Sequence, residues 1–149
     1  FKPQFMENMT KNSGKGGTSI DVEFPRSPAA QFIALYGFDE FFESLPDNIT
    51  KMDFSGGNSG SEGFPLPKAI GRLTNLEGLH IDGLISELPS EICNCKKLRY
   101  LSLPNNKNLK SIPDCLKDLP NLKLVNFKGC DNLKLPEDLK VKLRIWDPS

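Results

Sequence analysis

Histidine and tryptophan each occur once in this chain and tyrosine twice, and no stretch approaches the ~18 consecutive apolar residues of a membrane-spanning helix. One histidine cannot supply the multi-histidine sets of catalytic zinc centres. Cysteine is sparse: there are four, and Cys93-x-Cys95 is one residue short of the C-x-x-C spacing of a metal site, with no second pair to complete it. Net charge is absent too, since 19 basic residues balance 19 acidic ones. Nucleic acid is therefore a disfavoured partner, because no basic fold-wide field or known module accompanies the lysines. Lys15-Gly16-Gly17-Thr18 looks superficially like a phosphate loop but lacks the G-x-x-x-x-G-K-[ST] spacing.

What the chain does have is recurrence. Pro46, Pro67, Pro89, Pro113 and Pro136 follow one another at intervals of 21, 22, 24 and 23 residues. After Pro67, apolar residues fall at offsets of 3, 6, 9, 12 and 14: Ile70, Leu73, Leu76, Leu79 and Ile81. The same offsets hold Ile92, Cys95, Leu98, Leu101 and Leu103 after Pro89, then Leu116, Leu119, Leu122, Val125 and Phe127 after Pro113. A repeat of this length cannot bury its apolar side alone, so successive copies must stack and cover one another.

From about Leu45 to Trp146 the chain resembles the leucine-rich repeat family. Leu45-Pro46-Asp47-Asn48-Ile49, Leu66-Pro67-Lys68-Ala69-Ile70 and Leu88-Pro89-Ser90-Glu91-Ile92 carry the LPxxI punctuation of intracellular plant and bacterial members. The resemblance implies an α/β solenoid: a short curved parallel β-sheet of about five rungs. The first and last units lack part of the ladder, as end repeats do.

Strands are expected at 52–54, 79–81, 101–103, 125–127 and 143–145. Side chains alternate along a strand, so Asp53, His80, Ser102, Asn126 and Arg144 should point outward onto a concave face. Lys51, Tyr100, Leu124 and Lys142 precede them and Asp82, Lys128 and Trp146 follow on that same face. Family members commonly place an asparagine in the turn beyond the strand. Asn106 and Cys130 occupy that position here, whereas Leu84 and Gly57 occupy it earlier, which leads us to expect irregular early turns.

Residues 1–27 read as a flexible arm or linker, with a possible edge strand at Ile20–Phe24, where apolar and acidic residues alternate. Ser27-Pro28 reads as an N-cap followed by a first-turn proline, opening a capping helix over 28–44 whose apolar face covers the first repeat. The repeat domain is 45–149, and Gly56–Gly63 reads as a loop inserted in its first unit. A start at Phe1 leads us to expect a piece or a processed form of something longer.

Charge is unevenly spread. Residues 1–95 carry 7 basic and 13 acidic side chains, and 96–149 carry 12 and 6. The C-terminal half could meet an acidic partner surface, with Lys128, Lys142 and Arg144 beside Trp146 as the candidate patch. Cys95 replaces a core leucine and Cys130 a turn asparagine, roles that suit small reduced thiols. Cys93 and Cys115 sit on the convex side, and the cysteine-rich end caps of secreted family members are absent. These placements favour the cytoplasm or another reducing compartment over secretion, with a virion as a further option.

Catalysis needs a nucleophile, base or metal in a sheltered pocket. His80 with Asp53 and Asp82 is the one base-and-carboxylate grouping, and no activated serine or cysteine stands beside it, so no enzyme activity, cofactor or metal is expected. The leading expectation is a non-catalytic protein-binding module, part of a larger protein, with Tyr100 and Trp146 as main contacts because aromatic side chains concentrate binding energy. Two alternatives stand beside it. One is a structural piece of a large assembly, a virion or surface layer, anchored by the arm. The other is the recognition domain of a larger receptor or effector enzyme.

Overall fold

The computed structural model describes residues 19–56 and 63–142. Five short strands form one parallel sheet in the order β1 (Ser19–Glu23), β2 (Lys51–Ser55), β4 (Gly78–Ile81), β6 (Tyr100–Ser102), β7 (Leu124–Asn126). A small parallel pair, β3 (Phe64–Pro65) with β5 (Ile85–Glu87), lies beyond the strand ends. The chain returns from each strand to its neighbour through helix: α1 (Pro28–Tyr36) and α2 (Phe38–Ser44), then 3₁₀ turns at Lys68–Arg72, Ser90–Asn94 and Asp114–Asp118, and finally α3 (Glu137–Lys142). This is a mixed α/β architecture with a parallel sheet and flanking helices, solenoid-like in its layering.

The proline punctuation has a local cause. Pro67, Pro89 and Pro113 sit in extended backbone, and their carbonyls accept the N–H of Ile70, Ile92 and Leu116 three residues on, which is the 3₁₀ hydrogen bond. Proline has no N–H of its own to satisfy there. The apolar ladder then turns inward: Ile70, Leu73, Leu76, Leu79 and Ile81 are each at most 2% exposed, and the equivalent residues of the next repeat are as deeply buried. Carbonyls at the strand entrances link the rungs: Thr50 accepts from Gly78, Glu77 from Tyr100, and Arg99 from Leu124.

The edge strand expected at Ile20–Phe24 is β1, the end strand of the sheet, and residues 1–18 of the expected arm lie outside the described residues. β1 pairs with β2 over its whole length, Ile20 beside Met52 and Val22 beside Phe54, and both of its apolar residues are buried. Ser27 caps α1, its Oγ accepting from Ala30 N at 3.1 Å. The single helix expected over 28–44 is two, separated at Gly37, where φ of +92° is open to glycine and strained for other residues. The break lets Phe41 and Phe42 swing into the core, where Phe42 stacks on Phe54 at 5.9 Å. Arg72 ties this layer to the next by donating to the carbonyls of Phe42 and Leu45 at 2.8 and 3.2 Å, which closes the C-terminal end of α2.

On the helical side, Cys93 and Cys115 are joined by a disulfide across 22 residues of sequence, bonding successive 3₁₀ turns. This corrects the expectation of the cytoplasm or another reducing compartment. Such bonds form and persist where conditions are oxidising. Cys95 and Cys130 are free and buried. Lys117 bonds Asp114 at 2.9 Å and Asp138 at 3.2 Å, linking the last 3₁₀ turn to α3, and its hydrogen bond holds the Asp138 carboxyl below its ordinary range. The rung expected at 143–145 and the loop interior at 57–62 lie outside the described residues. No described helix is long and apolar enough to cross a membrane.

Candidate functional site

Burial alternates along each strand, so one sheet face is core and the other is open to solvent. Register then decides which open-face residues become neighbours. One row runs Lys51, Gly78, Tyr100, Leu124, and the next runs Asp21, Asp53, His80, Ser102, Asn126. Asp82 follows β4, its N–H reaching the Phe54 carbonyl at 3.1 Å, and Lys128 follows β7. Nine of the twelve candidate residues are thus brought to one face. Arg144 and Trp146 lie outside the described residues, and Lys142 ends α3 instead of leading into a strand.

The face is polar in its centre and apolar at one side. His80 Nδ1 and Ser102 Oγ are 3.0 Å apart, and Asn126 Nδ2 donates to that same Oγ at 3.4 Å. Asn126 Oδ1 accepts from the backbone of Lys128, which bends the chain as it leaves β7. Beside this chain of bonds, Tyr100 is 45% and Leu124 38% exposed, although both belong to strands of the sheet. They lie directly opposite each other and border an open depression of about 200 Å³ floored by Leu101 and edged by Ser102 and Asn126. Gly78, next in the row, places no side chain of its own beside Tyr100. The Arg99 guanidinium sits 5.6 Å from that ring's centre.

Two plant resistance proteins match this chain. The disease resistance protein RPS4B of Arabidopsis thaliana is 40% identical over 73 residues, which is 48% of this chain and 6% of that protein. The TMV resistance protein N of Nicotiana glutinosa is 33% identical over 107 residues, 68% of this chain and 9% of its own length. The chain therefore spans less than a tenth of either relative. No family model matches it.

Among the described residues no group of three or more His, Cys, Asp or Glu is placed to hold a metal ion. His80 spends Nδ1 on Ser102. The face has hydrogen-bonding groups, an apolar shelf and charge, which is the equipment of a binding surface.

Three contributors were missed in the sequence. Asp21 and Glu23 belong to the face because β1 is a full member of the sheet, and the alternation Ile20-Asp21-Val22-Glu23 was the available signal. Asn105 also escaped notice. It adopts φ of +61° and donates from Nδ2 to Asp82 Oδ1 at 3.0 Å, fixing that carboxylate.

Proposed function

We propose that this chain is a leucine-rich repeat segment that recognises another protein through the open face of its sheet, and that it does so as part of a larger resistance protein. The observation that carries the reading is the Tyr100–Leu124 pair: two large apolar side chains held side by side on paired strands, left exposed, over a depression edged by hydrogen-bonding groups. Leaving such side chains in water gains the fold nothing, whereas a partner covering them would gain from their burial. The proline-punctuated ladder and the two matched resistance proteins support the repeat-family and resistance-protein parts of the proposal.

The test uses the parent protein, tagged and recovered from its own tissue with whatever polypeptides accompany it. Tyr100→Ala and Leu124→Ser should each fold as the wild type and each weaken retention of one and the same polypeptide. A contact at an interface centre costs on the order of 2 kcal/mol when truncated. Two folded variants that retain that polypeptide at wild-type levels would refute the assignment.

A further inference from the structure

The open face is asymmetric in charge, and the asymmetry specifies what should sit on it. Asp21 and Glu23 on β1, Asp53 on β2 and Asp82 after β4 stand together at the side of the sheet away from Tyr100 and Leu124. The remaining outward positions there are Ser19, Lys51, Ser55, Gly78 and His80, of which Lys51 brings the one permanent cation. None of the four carboxylates makes an ion pair among the described residues, and Asp82 is braced by a neutral donor, Asn105. The face's other lysine, Lys128, lies beyond β7. An apolar depression thus lies two and three strands away from a field of four carboxylates that meets one lysine, Lys51, and no ion pair among the described residues.

Resting on the reading of this face as a protein-binding surface, we infer that its occupant is an extended segment of a partner protein that carries one aliphatic or aromatic side chain and, about four residues away, a lysine or arginine. The apolar side chain fills the depression between Tyr100 and Leu124, and the cation reaches Asp53 and Asp21. Spacing follows from the sheet. Strands lie about 4.8 Å apart, so the depression between β6 and β7 is about 12 Å from β2 and about 17 Å from β1, a span of roughly four or five extended residues. Charge complementarity decides the sign: a partner with an acidic residue at that position would meet like charge.

Random peptides displayed on phage and selected against the full chain provide the test. Enriched sequences should pair an apolar residue with Lys or Arg about three to five positions away. The synthetic form of an enriched peptide should lose about tenfold or more in affinity for Asp21→Asn/Asp53→Asn, and added salt should weaken its binding to the wild type more than to that variant. Tyr100→Ala and Leu124→Ser should also lose affinity. Peptides that require Tyr100 or Leu124 yet carry no cation, or that bind Asp21→Asn/Asp53→Asn unchanged, overturn this inference and leave the binding face standing. A selection in which no peptide depends on Tyr100 or Leu124 overturns both.

Discussion

Asn106 holds Ile85 from one repeat away. Its Oδ1 accepts from the N–H of Ile85 at 2.8 Å and of Leu84 at 2.7 Å, while Nδ2 donates to the carbonyls of Ile81 at 2.9 Å and Pro104 at 3.2 Å. The turn that has a leucine where an asparagine was expected is thus served by the asparagine of the next rung, which is only 1% exposed. In the following rung Cys130 takes the corresponding place, its thiol donating to the Leu103 carbonyl at 2.9 Å.

Asn106→Ala should therefore be among the most damaging single changes in the chain. It takes the partner from the Leu84 and Ile85 N–H groups and the Ile81 carbonyl, while the Pro104 carbonyl keeps the Gly83 N–H, a loss on the order of 3 kcal/mol. Urea unfolding should show a lower midpoint at an unchanged slope. A shift equivalent to under about 1 kcal/mol would mean that water replaces the carboxamide and that the turn does not depend on it.

The disulfide makes a second, independent prediction. Closing the 22-residue separation between Cys93 and Cys115 should stabilise the chain by about 3 kcal/mol through the restriction it places on the unfolded state. Peptide mapping without reductant should recover Cys93 linked to Cys115, with Cys95 and Cys130 as free thiols. Cys93→Ser/Cys115→Ser should match the reduced wild type in stability, and equal stability of reduced and oxidised wild type would contradict the constraint.

The ladder was legible because a single period governs it. Ile70, Leu73, Leu76, Leu79 and Ile81 repeat at offsets that stacking alone explains, and all five are buried. Cys93 and Cys115 were misread for a related reason. Both were placed on the convex side without being paired, yet in stacked repeats two residues one period apart are neighbours, so their 22-residue separation is itself the signal. β1 was only half legible: Ile20 and Met52 are partners across 32 residues of sequence, well outside the proline spacing that defined the other rungs. On the open face, side-chain direction followed from strand period. Which outward residues stay exposed depends on neighbours, as Gly78 beside Tyr100 illustrates.

Gly56 predicts a conformational cost at the end of β2. Its φ is +75°, and a Cβ there would stand 2.5 Å from the carbonyl oxygen of Phe24, on the loop that leaves β1. Gly56→Ala should lose more than about 1 kcal/mol, because backbone strain and the clash act together. Thermal unfolding of the variant beside the wild type measures this. An unchanged midpoint would show that the two loops part without cost.

Cys95 connects core packing to pH. Its side chain is fully buried against the preceding rung, Sγ lying 3.4 Å from the Ile70 carbonyl, and burial pushes the thiol from 9.0 up to about 11. The unfolded chain therefore ionises this thiol before the folded chain does. The stabilisation from a neutral Cys95 is complete below pH 9 and is lost as pH rises through 11. The difference amounts to about 2 to 3 kcal/mol over that window. Burial also pushes Cys130 upward, which adds a change of the same sign. Cys95→Ala starts less stable, because it loses the sulfur's packing, but it lacks this titration. The gap between wild type and variant should narrow steadily from pH 9 to 11 when both are unfolded in denaturant without reductant. Curves that run parallel across that range would mean that Cys95 is hydrated in the folded chain, contrary to the packing of its rung.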